Sequence, residues 1–258
     1  MDRGDKLSLL VDDHALAAHV AAEAGRLLLG MRDFTRDPRE LKADGDHRSH
    51  EFIVRFLGRE RPGDAILSEE GADDPARLAA DRVWIIDPID GTREFGENGR
   101  SDWAVHVALV VEGQLTVGAV ALPALDLVLS TGGGAGALPL RPSTPQRRRI
   151  LVSRTRPLAL AQALAAELDA DLVPMGSSGA KAMAVVRGEG DIYVHAGGQY
   201  EWDSAAPVAV ARAAGLHTSR IDGSPLVYNQ PNSWLPDQLV CPQNDADQVL
   251  AAIAKVSQ

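Results

Sequence analysis

The stretch Trp84-Ile85-Ile86-Asp87-Pro88-Ile89-Asp90-Gly91-Thr92-Arg93-Glu94-Phe95 carries an apolar strand directly into two acids three residues apart. Carboxylates that close repel one another. At the end of a buried strand each is costly to keep ionised unless it is protonated or a cation neutralises it. Mg2+ resolves the conflict, because it takes hard oxygen ligands and keeps several waters, so a few acids suffice to hold it. Pro88 disfavours helical geometry at Asp87 and removes one backbone donor, so the chain should turn there and direct the Ile89 carbonyl inward as a neutral oxygen ligand. Gly91 permits close backbone approach, and a helix beginning near Thr92 would aim its free amides at a phosphate. The same two acids would also suit a plain helix cap following a strand.

Outward from this stretch, Ala65-Ile66-Leu67-Ser68 reads as a strand ending at Glu69, and Val83 to Ile86 as one ending at Asp87. Both deliver carboxylates at their carboxyl ends, the edge where α/β sheets bind ligands. Ala104 to Val111 and Leu115 to Leu122 are β-rich runs around Glu112-Gly113-Gln114, a hairpin signature, which makes the sheet partly antiparallel. Upstream, Leu16, Val20, Ala24, Leu27, Leu28 and Met31 recur at helical steps behind Asp12 and Asp13. A second helix is expected after Asp46, carrying Phe52, Ile53, Phe56 and Leu57 until Arg61-Pro62-Gly63 breaks it. Between Ser130 and Gln146 the composition turns to Gly and Pro without the Lys-Ser or Lys-Thr of a Walker loop. The domain boundary is placed there, with an N-terminal α+β metal-site domain over 1–140 and a C-terminal α/β domain over 141–258. The second half then alternates strands at Arg149 to Ser153, near Leu172, at Ile192 to His195 and at Leu239 to Cys241 with helices at Leu158 to Leu168, Ser178 to Arg187, Asp203 to Ala214 and Asp245 to Lys255. The pattern is α/β.

The chain has 258 residues, 45% hydrophobic and 24% charged, with a formal charge of -10. This composition supports a folded core and argues against a nucleic-acid polymer as partner, which would call for clustered Lys and Arg. An acidic protein binds an anionic small molecule when divalent cations reverse the local sign. The single cysteine, Cys241, excludes an internal disulfide and a Cys-rich zinc site, so the cytoplasm is the expected compartment. Neither a secretory signal in Met1 to Leu10 nor a long membrane-spanning apolar run is expected.

The segment from Asp87 to Thr92 resembles the Asp-Pro-Ile/Leu-Asp-Gly-Thr signature of the inositol monophosphatase superfamily of lithium-sensitive, magnesium-dependent phosphatases. Ser68-Glu69-Glu70 is similar to the family's paired glutamates, and Trp202-Asp203-Ser204-Ala205-Ala206 to its later Trp-Asp motif, in the same order along the chain. The resemblance spans residues 12 to 255. It implies an αβαβα sandwich with mixed sheets and two or three Mg2+ ions held by Glu69, Asp87, Asp90, Asp203 and the Ile89 carbonyl, with Glu70 in support. It also implies a water-activating pair, Thr92 with the acid that best matches Asp46, which stands 23 residues before Glu69. Where the family usually has a longer Lys-x-Asp-x-Ser-Pro-Val-Thr loop before that acid, this chain has only Leu41-Lys42-Ala43-Asp44-Gly45-Asp46, which bears on the third ion. The family habit of dimerisation is the one pointer toward a homodimer; the sequence itself does not fix the assembly.

Gly91-Thr92-Arg93-Glu94-Phe95 is more similar to the Gly-Thr-Lys/Arg-Glu-Phe of 3'(2'),5'-bisphosphate nucleotidases than to the Gly-Thr-Thr-Asn-Phe of inositol monophosphatases. Gly176-Ser177-Ser178-Gly179-Ala180-Lys181 resembles the nucleotidases' Gly-Ser-Ser-x-Lys region. This implies substrate contacts from Gly91, Thr92, Arg93, Ser177, Ser178 and Lys181, with the lysine suited as a point charge to a non-reacting phosphate. The implied reaction is hydrolysis of adenosine 3',5'-bisphosphate to AMP and phosphate, a step linked to sulfate assimilation. An inositol-1-phosphate or fructose-1,6-bisphosphate phosphatase of the same fold is the neighbouring alternative, and a non-catalytic nucleotide sensor the alternative of another class.

Overall fold

The apolar repeat at Leu16, Val20, Ala24 and Leu28 buries one stripe of helix α1 (Asp13–Phe34) completely. The computed structural model describes residues 12–34, 37–133, 147–155 and 159–257. Helix α2 (Pro38–Glu60) packs beside α1 and buries Leu41, Gly45, Ser49, Ile53 and Leu57, a four-residue repeat along one face. It starts well before the expected point. Asp37 caps it by accepting from the Arg39 amide at 2.8 Å, and Pro38 occupies its first turn, so Asp46 lies in the helix interior rather than at its start.

The two helices cover one face of a five-stranded sheet with order β1 (Ala65–Ser68), β2 (Arg82–Asp90), β3 (Ala104–Val111), β4 (Gln114–Leu122), β5 (Leu127–Ser130). β1 runs parallel to β2 and every other pairing is antiparallel. The anticipated hairpin joins β3 to β4 through Glu112 (φ 50°) and Gly113 (φ 75°), both in the left-handed region that a tight two-residue turn requires. Alternation along β2 divides its side chains: Trp84 and Ile86 face α1 and α2, while Val83 and Ile85 enter the core on the other side. β2 does not stop at Asp87. It continues to Asp90 after a register irregularity against β3 between Asp87 and Asp90, where Pro88 has no N–H to offer the ladder.

The second half builds a further five-stranded sheet from β6 (Arg148–Ser153), β7 (Ala170–Met175), β8 (Ile192–His195), β10 (Leu216–Ser219) and β12 (Gln238–Pro242), in the order β10-β12-β8-β6-β7. A two-stranded ribbon pairs β9 (Gln199–Tyr200) with β11 (Trp234–Leu235). After the single turn α3 (Thr92–Phe95), the remaining helices are α4 (Ala159–Glu167), α5 (Ser178–Val186), α6 (Glu201–Ala213) and α7 (Ala246–Val256). α5 and α6 fill the space between the two sheets, and α4 and α7 cover the outer face of the second. The layers are therefore αβαβα, as expected, and the central cluster takes residues from both halves, Ile85 and Val120 packing with Leu151 and Val240. The Gly/Pro-rich boundary falls almost wholly outside the described residues, as does Leu158. Among the described residues no helix is long and apolar enough to cross a membrane.

Gly45 shows how closely α2 approaches the start of the site. A Cβ there would lie 2.6 Å from Phe95 Cε1 and 3.0 Å from Ile89 Cδ1. In an open helix, replacing Gly by Ala gains about 1 kcal/mol. Here Gly45→Ala should instead lose roughly 1–3 kcal/mol, the usual cost of overpacking. Urea unfolding measures the sign, and a stabilised variant would contradict the close approach.

Candidate active site

Asp87, Asp90 and Asp203 each place one carboxylate oxygen within 4.8 Å of the others. Asp87 and Asp90 come from the irregular end of β2 and Asp203 from the first turn of α6, elements that meet only because α6 packs across β2, β3 and β4. Each acid is partly tied. Asp87 Oδ1 accepts the Ile89 amide at 3.0 Å, while its Oδ2 is buried with no donor. Asp90 Oδ2 accepts from Ser177 Oγ at 2.5 Å and from the Gly179 amide at 2.6 Å. Asp203 Oδ2 accepts the Tyr200 amide at 2.7 Å, closing a capping box at the third position of α6.

Burial pushes Asp87 well above the usual carboxylate range, and the charges of Glu69, Asp90 and Asp203 push it further. Burial likewise raises Asp203 to about 7, and desolvation of its carboxyl raises Glu69, otherwise an exposed residue, to about 7 as well, with Asp90 adding repulsion to both. These groups cannot all ionise at neutral pH without a counter-charge. An orphaned buried carboxylate oxygen within an all-oxygen donor set fits a hard divalent cation such as Mg2+, which Asp87, Asp90 and Asp203 would hold, with Glu69 alongside. Glu70 is exposed, and its charge is felt by Asp46.

The single turn α3 opens at Gly91, whose φ of 86° lets the chain leave β2 and point Thr92 back at it. Thr92 Oγ1 donates toward the Ile89 carbonyl at 3.1 Å and lies 3.4 Å from Asp46 Oδ1. The interior position of Asp46 on α2 thus brings it to Thr92 from the opposite layer. Burial first, and the Glu70 charge second, raise Asp46 to about 7.

Beside the cluster lies a cavity of about 550 Å³. Gly91, Thr92, Arg93, Ser177, Ser178 and Lys181 all line it, so the residues that the resemblance implies for the substrate do converge. Arg93 is exposed on its wall. Ser177 Oγ is engaged with Asp90 and also caps α5 by accepting the Ala180 amide at 2.9 Å. Ser178 Oγ bonds Tyr193 Oη at 3.0 Å. Lys181 is buried, and its Nζ donates to the Gly176 and Ser177 carbonyls at 3.1 and 2.5 Å, so the ammonium holds the loop before α5 as well as bordering the cavity. Burial lowers it to about 8.

Other participants lay outside the sequence reading. His106 is fully buried on β3, with Nδ1 3.0 Å from the Trp202 carbonyl and Nε2 3.3 Å from Asp90 Oδ2, so it spans the two acidic motifs. Its one available signal was a lone polar residue within the apolar run Ala104 to Val111. Arg154 pairs with Glu94 at 2.7 Å, and Asp102 accepts the Gly176 amide at 2.6 Å, both from segments with no recognisable motif.

The model of the inositol monophosphatase family matches residues 11–258. Several curated relatives carry the name 3'-phosphoadenosine 5'-phosphate phosphatase. The one from Mycobacterium leprae is 48% identical over 257 residues, covering 95% of this chain and 95% of its own. The one from Mycobacterium bovis is 52% identical over 245 residues, 90% of each chain. The crystal structure of CysQ from Bacteroides thetaiotaomicron, a bacterial member of the inositol monophosphatase family, superposes with a TM-score of 0.78 at 27% identity, covering 88% of this chain and 96% of that one. The chain belongs to the inositol monophosphatase family. It is a phosphoric monoester hydrolase.

The raised carboxyls retain protons in the folded protein that the unfolded chain has already released. The metal-free protein should therefore lose stability as pH rises from the ordinary carboxylate range through about 7. Mg2+ substitutes for those protons, so its stabilising shift in Tm should be larger at pH 8 than at pH 5 and should largely vanish in Asp90→Asn. An equal shift at both pH values, or a full shift in the variant, would contradict the cation site.

Proposed function

We propose that this chain is a magnesium-dependent 3'(2'),5'-bisphosphate nucleotidase that converts adenosine 3',5'-bisphosphate and water to AMP and phosphate. The substrate reading is supported by the mycobacterial relatives, which align with nearly the whole chain. The observation that carries the chemistry is the meeting of the Thr92–Asp46 pair with the acidic cluster at one end of a cavity large enough for a nucleotide. Residues 1–140 contribute that pair and the β2 acids, residues 141–258 contribute Asp203 and the Ser177 loop, and we propose this as the division of labour between two domains. Cys241, the one cysteine in the sequence and buried, supports action in a reducing cytoplasm.

Bound Mg2+ would supply charge neutralisation for the ester and its departing oxygen and would acidify water. The side chains supply position and proton transfer. Thr92 Oγ1 sits between the Ile89 carbonyl and Asp46, so a water at Thr92 can yield its proton to Oγ1 as Oγ1 passes its own to Asp46 Oδ1. The water oxygen forms the new bond to phosphorus as the bond to the ribose 3' oxygen breaks on the opposite side, and that oxygen takes a proton from solvent. No covalent phosphoenzyme is needed. Ser177 and Gly179 fix the orientation of Asp90 throughout, and Lys181 fixes the loop that carries Ser177.

Phosphate release should be Mg2+-dependent and should favour adenosine 3',5'-bisphosphate in kcat/KM over inositol-1-phosphate and fructose-1,6-bisphosphate. A higher value for either sugar ester would overturn the substrate. Thr92→Ala should lower kcat by about 10²–10⁴-fold, the usual range for a lost proton-transfer group, while Mg2+ still stabilises the fold. Thr92→Ala combined with Asp46→Asn should cost little more than either change alone, because the two act as one unit. Independent, multiplicative losses would sink the relay.

A further inference from the structure

Tyr200 and Trp234 remain 43% and 44% exposed although both are large aromatics, and both border the cavity. They stand opposite one another across the β9–β11 ribbon, with ring centroids 5.3 Å apart at 81°, and Tyr200 lies flat against Trp202 at 4.7 Å and 10°. Single exposed aromatics are ordinary surface features, but three joined rings on the rim of a polar, acidic cavity call for a ligand.

The support beneath them is unusually costly. Leading into Trp234, the Asn229 and Gln230 amides donate to the Glu201 carboxylate at 2.6 and 2.8 Å. The Arg77 guanidinium donates to Asn229 Oδ1 at 2.7 Å and to the Gln230 carbonyl at 3.0 Å. Glu201 and Arg77 are each only 1% exposed, which is rare for unpaired charges; Arg77 is paired bidentately with Asp73 at 2.6 and 3.0 Å, and its remaining donors go to the loop. The Glu201 amide then donates to the Ser233 carbonyl at 2.8 Å. The indole itself lies over Gly198, where any Cβ would fall 1.8 Å from Trp234 Cζ2. Two buried charges and a glycine thus fix a surface ring in one place. The ring cluster is also tied to the acidic cluster, because the Tyr200 amide donates to Asp203.

We propose that Trp234, braced by Tyr200, is the stacking face for the substrate's nucleobase and the element that separates a nucleoside bisphosphate from inositol and sugar phosphates. This rests on the nucleotidase reading. Every base offers a π-face to an aromatic platform, whereas a polyol offers none. The phosphate is handled at the acidic end, so loss of the platform should act on binding and leave the chemical step nearly intact.

The test is steady-state kinetics of wild type, Trp234→Ala and Trp234→Phe on adenosine 3',5'-bisphosphate and on ribose 3,5-bisphosphate, which has the same phosphates and no base. Trp234→Ala should raise KM for the nucleotide about tenfold or more, as loss of one base-stacking contact does, with kcat within about twofold. KM for the base-free ester should stay within about twofold, and Trp234→Phe should recover most of the nucleotide loss. An unchanged nucleotide KM, or an equal rise on both substrates, overturns the platform while leaving the nucleotidase reading in place. A wild-type protein inactive on the nucleotide overturns that reading and the platform with it.

Discussion

The repulsion among Glu69, Asp87, Asp90 and Asp203 is the constraint on which the rest of the structure depends. Two of the three tightly clustered acids come from one irregular strand end and the third from a helix more than a hundred residues later in the chain, so the cluster exists only in the folded protein. Each acid is restrained by donors that use part of its hydrogen-bonding capacity: an amide for Asp87, a hydroxyl and an amide for Asp90, a capping amide for Asp203. These donors reduce the repulsion without removing it. A bound divalent cation would complete the neutralisation, and the local positive charge it brings would let a protein with a net charge of -10 accept an anionic ester.

The layers above and below serve this arrangement. α2 brings Asp46 across to Thr92 and can do so because Gly45 leaves room for Phe95 and Ile89. α5 starts under Asp90, and Gly179 at its first turn leaves space for His106, since a Cβ would lie 2.0 Å from Nε2. Lys181 reaches back to the carbonyls of the preceding loop, so a buried ammonium near the acids has a structural duty as well as a favourable field. On the far rim, Arg77 and Glu201 hold the loop that presents Trp234. The acidic end is thus designed around charge and the opposite rim around shape.

Much of this was legible from local chemistry. An apolar strand running into Asp87-Pro88-Ile89-Asp90 states both its burial and its interruption, and the resemblance of three ordered motifs led to Asp203 and the layered fold. The start of α2 was not legible, because Asp44-Gly45-Asp46 looks like a turn. Its glycine answers instead to Phe95, a residue from another layer, and the true signal was Asp37-Pro38 further upstream. His106 and Trp234 were hidden for a related reason: a lone strand histidine and a tryptophan on a two-residue strand have no periodicity, and their meaning comes from what the topology sets beside them. For Lys181 the residue type was informative about charge but silent about which oxygens it would reach.

The most direct test of the central claim is a crystal structure of the protein soaked with Mn2+, read by anomalous scattering. The arrangement predicts a peak among the carboxylates of Asp87, Asp90 and Asp203 that is lost or strongly weakened in Asp90→Asn. A metal-saturated crystal with no peak there would show that these acids settle their repulsion by protonation, and the account of the site would fail.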